Sequence, residues 1–441
     1  MTKSPKRMYI IVAQTVMIIV SIFYLSACDT LYEQSGIQIT DNNITGSFIS
    51  RSGFEVMFDA HLTLYESGES QIVEAKRKAL TDNDITSMIH LCLGNEKYQL
   101  FKEWNISREG WAKKLARANE YANTEKTTQS YIDWLEDSLK KSSPVVTNTP
   151  TDLVDFPSNI LNIAYVATDE TADEIAKIGF VRNGEFLFAY YRDMFMDIVP
   201  ESLTGMDQFD AAHETLEQFL RRRPDKPTIS QDEAFKTAQK YSNDLGSDLE
   251  LYLAEPCSIL RNSAIDKDTG WMFTFTRSIN GLQAIYEDGW TYVNPKAMPV
   301  HVSPWASEVL KISVDQTGIC SLWWQGATLP QHENVKMVSI FPAGDLPKKI
   351  SDSLYRIYGS HRNGDGKRLV FEVKTIELGI SLISENNDRE SAVFIPTWYV
   401  FLNRRWQGET EYLASDKLCL SAIDGSYIEP RMSIDDIIIE K

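Results

Sequence analysis

The residues able to do chemistry are few and scattered. Six histidines occur, His61, His90, His213, His301, His332 and His361, and no two stand at the spacing of a metal pair. His213-Glu214 is followed by TLEQ, so the H-E-x-x-H arrangement, two imidazoles on zinc with a glutamate as base, is missing. The sequence has no G-x-S-x-G elbow, no phosphate-cradling G-x-x-x-x-G-K-[ST] loop and no G-x-G-x-x-G turn. Asp315-Gln-Thr-Gly is one residue longer than an aspartic-protease triplet and reads as a turn. HRNGDGKRLVFE, residues 361–372, sets Asn363, Asp365, Gly366 and Glu372 at the third, fifth, sixth and twelfth places of a calcium loop. His361 takes the first place, where a hard oxygen ligand is needed, and LVFEV reads as strand instead of a second helix, so a polar turn is expected. DKDTG at 266–270 is a weaker version of the same pattern. His61 and His90 fall inside a strand and a helix and read as satisfied structural histidines. No catalytic, cofactor-binding or metal residue is assigned, and the expected activity is binding or regulation.

One thiol stands apart. Residues 1–7, MTKSPKR, carry three positive charges and no negative one, and residues 8–27 are almost continuously apolar. This is a charged leader followed by a hydrophobic segment, long enough at 20 residues to span a bilayer if it is not removed. Leu25-Ser26-Ala27-Cys28 resembles the lipobox of bacterial lipoproteins, where small residues fit a signal peptidase and the cysteine is acylated. The resemblance implies a signal peptide over residues 1–27 and a lipidated Cys28, whose two acyl chains would give stable anchoring. The alternative is an uncleaved anchor, and with either the positive flank stays inside and the rest of the chain faces outside the cytoplasm. Asp29 resembles the inner-membrane retention signal of Gram-negative lipoproteins, a meaning it would lack in a Gram-positive envelope.

Removing residues 1–27 leaves 414 residues and takes the formal charge from −18 to −21. So acidic a chain is not expected to bind nucleic acid or to lie flat on anionic lipid. Cys92, Cys257, Cys320 and Cys419 sit in apolar contexts with no C-x-x-C pair, which disfavours zinc and thioredoxin-like readings. An exported chain could join them as disulfides; buried thiols are the favoured expectation.

The elements that must position any site come next. Residues 28–49 are polar, with little periodicity, and are expected to be a flexible tether; residues 50–225 are expected to be a mixed α+β N-terminal region. FEVMFDAHLTLY alternates as a half-buried strand, and TDNDITSMIHLCLG offers a cap at Thr81 or Asp82 and a stop at Gly94. SREGWAKKLARANEYAN and SYIDWLEDSLKK space aromatic and aliphatic residues as two helices. SSPVVTNTPTDLVDFPS is a long connection, TDETADEIAKIG is expected to be a short helix ended by Gly179, and Asn183-Gly184 marks a hairpin. FLRRRPDKP, residues 219–227, reads as a boundary.

Beyond it the pattern repeats. ISQDEAFKTAQKYSNDLG is a helix capped by Ser230, with Ala234, Phe235, Ala238 and Tyr241 on its apolar side, and Asn280-Gly281 turns a hairpin. DLPKKISDSLYRIYG supplies a second helix over residues 346–358, followed by long strands around SENNDRES, with Pro396 expected at an edge or bulge. Leu310-Lys-Ile-Ser-Val-Asp matches Leu418-Cys-Leu-Ser-Ala-Ile, and helix start to closing strand is 78 residues in one unit and 72 in the other. The expected fold is α+β, with tandem repeats of a helix packed on an antiparallel sheet at 228–330 and 331–441.

An acidic helix start with an A-x-x-x-A core, strands, and a tail such as LSAIDGSYI is similar to PepSY-like domains and to the YycI and YycH class of extracytoplasmic regulators of a sensor kinase. The resemblance covers about residues 228–430. With the lipobox, the whole looks like a family of clostridial-type bacterial lipoproteins. It implies a regulatory fold without a catalytic motif and carries over no functional residue. The kinase regulators are held by an N-terminal helix, a difference from a lipid anchor.

Trp323-Trp324 and Trp398-Tyr399 lie in strands, where alternation sends neighbours to opposite faces. Covering elements would bury both members; an open face would leave one to anchor a protein or stack on a sugar. The expected function is that of a lipid-anchored, envelope-facing binding or regulatory protein engaging another envelope protein, with solute or glycan binding as the alternative.

Overall fold

The computed structural model describes residues 32–429 apart from 41, 51–53, 64–67, 95–96, 123–128, 169–174, 184–185, 195, 201–226, 262–263, 287–290, 293–300, 303–306, 359–365 and 385–390. The lipobox with Cys28, His213, most of the 219–227 boundary, His361 and most of SENNDRES lie outside the described residues. The chain is α+β, built on two large sheets.

Strands β1 (Tyr32–Thr40), β2 (Asn43–Ser50) and β3 (Phe54–Thr63) form an antiparallel meander. In β3, Phe54, Val56, Phe58, Ala60 and Leu62 are buried and Met57, Asp59, His61 and Thr63 are exposed, the period of two that alternation predicts. The expected tether at 28–49 is corrected here, because most of it is strand. Ile44 and Phe48 of β2 are buried against β3, two apolar anchors spaced for one face of a strand within an otherwise polar stretch.

After β4 (Glu69–Arg77), helix α1 (Asp82–Leu93) starts on a reciprocal capping box between Thr81 and Asp84 and stops at Gly94, whose φ of 69° is open to glycine without strain. β5 (Gln99–Phe101) follows, then a helical hairpin of α2 (Arg108–Ala122) and α3 (Gln129–Lys141) with its own small core of Ala118, Ile132 and Leu135. β6 (Leu161–Ala167), β7 (Ala176–Val181), β8 (Leu187–Tyr191) and β9 (Met196–Pro200) complete the N-terminal region. The helix expected to end at Gly179 is corrected to strand at residues 176–179. The acidic lead-in resembles a helix start, but Ala176, Ile178 and Phe180 alternate into the core, and pairing with β6 and β8 on both edges decides the outcome.

Helix α4 (Gln231–Asp244) is capped by Ser230. It leads into β10 (Glu250–Arg261), β11 (Ala264–Thr276), the short β12 (Ser278–Ile279), β13 (Leu282–Gln283), β14 (Thr291–Tyr292) and β15 (His301–Val302), then β16 (Val309–Asp315), β17 (Gly318–Gln325) and β18 (Thr328–Ser339). DKDTG lies within β11. Asn280 and Gly281 both have positive φ, as a tight β12–β13 hairpin requires. Helix α5 (Leu346–Tyr358) precedes β19 (Leu369–Ile383), β20 (Ser391–Trp406), β21 (Ala414–Ser421) and β22 (Tyr427–Glu429).

The tandem repeat is present: α4 with β10-β11-β16-β17 and α5 with β19-β20-β21-β22 are each a helix followed by four antiparallel strands in sequential order. The N-terminal region repeats the plan once more. α1 is followed by β5-β6-β7-β8 in order, with the α2–α3 hairpin inserted between β5 and β6. The two units join through antiparallel β8 and β17 into one nine-stranded sheet with β9 at its far edge. The other sheet joins β3 to β19 in parallel, so the first strands pair with the last unit.

α1 and α4 share one face of the nine-stranded sheet, where Ile85, Met88, Ile89, Ala234 and Ala238 pack with Phe180, Phe188, Phe273, Ile312 and Trp324. α5 covers the other sheet with Leu346, Ile350, Leu354 and Ile357; each such side chain contributes about 1.5–3 kcal/mol on burial. Pro396 lies at neither an edge nor a bulge. β20 gives one side to β4 over Ser391–Phe394 and to β21 over Thr397–Arg404, and the ring sits where the partner changes. Its carbonyl accepts from Ala422 on that side, so the missing N–H falls at the seam.

Candidate functional site

Strand β17 carries the clearest candidate because its two faces differ. Leu322 and Trp324 point to the α1–α4 side and are 1% exposed, whereas Trp323 points to the other side and is half-buried. There it belongs to a straight row of directly paired residues: Ile163 of β6, Gly179 of β7, Ala189 of β8, Trp323 of β17 and Lys311 of β16. Ile163 to Trp323 is three strand spacings, about 14 Å. Gly179 and Ala189 carry at most a methyl group, leaving room for the indole to lie over the sheet and pack with Leu187 and Val181. The indole N–H donates to Gln325 Oε1 at 3.0 Å, so the ring has its polar need met and offers π surface outward.

Around it the surface is apolar with a basic border. Ile163 is 55% exposed and Leu161 42%. Lys177 stands 4.9 Å from the ring centre of Tyr191, and Lys311 4.6 Å from that of Tyr286, so both ammonium groups are held over aromatic faces at the margin. An aromatic anchor, exposed aliphatic side chains and fixed cations make a surface suited to protein contact.

The second aromatic pair behaves differently. Trp398 packs in the core under α5, and Tyr399 is 4% exposed on the opposite face, donating its hydroxyl proton to Ile380 O at 2.6 Å. Both faces of that sheet are covered at this point, in part by Ile285 from the segment between β13 and β14. Gly379 permits that approach, since a Cβ there would lie 2.4 Å from Gln283 O.

Asp315 and Thr317 form the expected turn: Asp315 Oδ1 accepts from Thr317 N at 2.8 Å and from Thr317 Oγ1 at 2.7 Å, and Arg192 grips the carboxylate with two nitrogens. Burial pushes this carboxyl up, but the Arg192 and Thr317 hydrogen bonds and the guanidinium charge outweigh it and hold it below its usual range. Of the calcium-like loop, Glu372 is within β19 and accepts from Arg405 Nε at 2.7 Å and Tyr412 Oη at 3.0 Å. Among the described residues no group of three or more His, Cys, Asp and Glu is placed to hold a metal. His61 is exposed on β3. His90 departs from the expectation of a satisfied histidine: its ring meets Tyr98 edge-on at 5.0 Å, while Nδ1 is buried with no hydrogen-bond partner among the described residues. No sequence signal marks this, since it depends on which residues the fold brings against the ring.

Cys257, Cys320 and Cys419 are buried free thiols and Cys92 is half-buried. Burial raises all four, Cys257 and Cys419 to about 12.

The deepest charged pair is structural. Arg277 donates from Nε and Nη2 to Glu308 at 2.9 Å each, and from Nη1 to Asp248 O at 2.8 Å; Thr328 Oγ1 donates to Glu308 at 2.6 Å. Arg277 and Glu308 are the two feet of the 277–308 excursion, whose β14 and β15 pair with β21 and β22 of the other sheet. The pair therefore pins the base of the excursion that links the sheets.

No helix among the described residues is long and apolar enough to cross a membrane. No protein-family model and no curated protein matches the chain. Among solved structures it is similar to an uncharacterised protein from Eubacterium rectale ATCC 33656, with a TM-score of 0.45 and 14% identity, covering 92% of this chain and 98% of that one.

Proposed function

We propose that the protein is a lipid-anchored binding protein of the cell envelope, held by Cys28 outside the cytoplasm, and that it acts by engaging another envelope protein without catalysis. The observation that carries this reading is the open side of the nine-stranded sheet at Trp323, apolar through Leu161 and Ile163 and bordered by Lys177 and Lys311. A protein fits this surface better than a glycan. A sugar stacked on the indole needs several hydrogen-bonding groups beside the ring; here the neighbours on the β8 side are aliphatic, the Lys311 ammonium on the β16 side is held over Tyr286, and the Gln325 Oε1 acceptor already serves the indole N–H. The basic border favours a partner with acidic groups around an apolar centre. The anchor rests on the Leu25–Cys28 sequence and its likeness to a lipobox.

The test is quantitative co-purification from detergent-solubilised membranes. Ile163→Lys and Trp323→Lys are each expected to lower recovery of the same envelope protein at least tenfold, with Val145→Lys, at an exposed loop position, leaving it unchanged. Equal recovery with all three variants, or no reproducible partner, contradicts the reading. Intact-mass measurement of the mature chain checks the anchor separately, with a diacylglyceryl group on Cys28 as the expected result.

A further inference from the structure

Cys28 stands four residues before Tyr32, where β1 begins. However residues 29–31 run, four residue steps hold the two Cα atoms within about 14 Å of each other. A chain anchored at Cys28 therefore has the start of β1, and with it one end of the larger sheet, close to the bilayer.

The pairing register shows what else lies at that end. Tyr32 is opposite Ser50, Ile49 opposite Glu55, Phe54 opposite Leu369, and Leu369 opposite Trp406, so β1, β2, β3, β19 and β20 have their ends in one row. β1 and β20 are four strand spacings apart, about 19 Å. Twist of about 20–25° per strand fans the row but keeps both ends on one side of the sheet's mid-line. Beyond Trp406 the chain turns back to β21 through residues 407–413, and the turn closes where Leu413 N donates to Arg404 O at 2.6 Å. This turn is the tip of the row.

Two properties fit the tip to lipid. Tyr412 and Leu413 are consecutive and are 49% and 50% exposed. The Tyr412 hydroxyl donates to Glu372 Oε2 at 3.0 Å, fixing an amphipathic ring of the kind that settles at headgroup level. Single exposed apolar side chains are ordinary on any surface; these two stand at the end that the anchor brings to the membrane. The charge there is also unlike the rest of the molecule. Residues 366–372 and 404–413 carry four basic and three acidic side chains, a net of +1 beside −21 for the chain from Cys28 onward. Lys367 pairs with Glu409 and Arg405 with Glu372, each at 2.7 Å, so the tip presents no acidic surface for a bilayer to repel.

We propose that the 407–413 tip is a second membrane contact, with Tyr412 and Leu413 resting in the headgroup layer of the bilayer that holds Cys28. This rests on the Cys28 anchor proposed above. The strands of the larger sheet then stand up from the membrane, with the β1–β2 turn at Asn42 about 27 Å further out, the length of β1. Two contacts about 19 Å apart fix an orientation that a lipid anchor alone leaves free.

The test uses the mature protein bound to phosphatidylcholine vesicles, with the modification of Cys28 read by intact mass. An NBD fluorophore is attached at Leu413→Cys or, at the opposite end of the sheet, at Asn42→Cys, both exposed positions. The unsubstituted protein, carried through the same labelling, gives the background from the native thiols. Spin-labelled lipid is expected to quench about half or more of the emission at position 413 and none at position 42. Gln407→Cys, exposed in the same turn, serves if Leu413→Cys fails to fold. With Cys28 acylated, an unquenched label in the turn, or equal quenching at position 42, overturns the tip contact and leaves the anchor standing. An unmodified Cys28 overturns the anchor, and the tip contact with it.

Discussion

Trp323 and Trp324 are neighbours in β17 with opposite environments: Trp324 is 1% exposed, its ring centre 4.7 Å from that of Phe186 in the α1–α4 core, and Trp323 lies half-buried on the far face with its indole N–H on Gln325. One strand thus serves packing with one residue and presents an aromatic surface with the next.

The two positions should separate stability from binding. Trp324→Ala leaves a large core void and is expected to cost about 3–5 kcal/mol, whereas Trp323→Ala removes a partly exposed ring and should cost about 1 kcal/mol. Chemical denaturation of both variants checks this; equal losses would mean that the far face is as closed as the core.

Arg277 and Glu308 are almost fully buried and satisfy each other along with Ser247 O, Asp248 O and Thr328. Removing one partner strands a buried charge, so Glu308→Ala is expected to destabilise by about 3–5 kcal/mol. Because the pair clamps the foot of the 277–308 excursion, limited proteolysis should cut that segment faster in the variant than in the parent.

Asp315 has its carboxyl held below the ordinary value, so its ionised form stabilises the fold above the unfolded carboxylate pKa of about 3.9, and that contribution fades as pH falls through the lower folded value. Asp315→Asn should therefore be less stable than the parent at pH 7, with the difference shrinking below about pH 4. Urea denaturation across pH 3–7 measures it; a difference that persists unchanged at pH 3 would show that the charge is not the source.

Burial raises the thiols of Cys257, Cys320 and Cys419, and the thiolate is the reactive form. At pH 8 iodoacetamide is expected to leave all three unmodified in the folded protein and to alkylate all three in denaturant, read site by site by mass spectrometry. Fast labelling of any one in the native state would contradict its burial.

What the sequence discloses is local. The Thr81 cap and Gly94 stop, the Asn280-Gly281 turn, the α5 bounds and the helix-plus-strands repeat all come from short-range patterns, and each is present. The misses are long-range. Phe54 pairs with Leu369, a partner that no local pattern announces, so β1 and β2 pass for a tether. Residues 102–160 interrupt the α1 unit and hide that it repeats the C-terminal plan. Alternation tells that Trp323 and Trp324 face opposite ways, but which of them is covered depends on where α1 and α4 come to lie, and the unpartnered His90 Nδ1 likewise depends on what the fold brings against α1.

The most direct measurement is photo-crosslinking in living cells from a benzophenone amino acid placed in turn at positions 163, 323 and 145. The account predicts that positions 163 and 323 yield an adduct with one and the same envelope protein while position 145 yields none. No adduct from either sheet position, or the same adducts from all three, would contradict a binding face at Trp323.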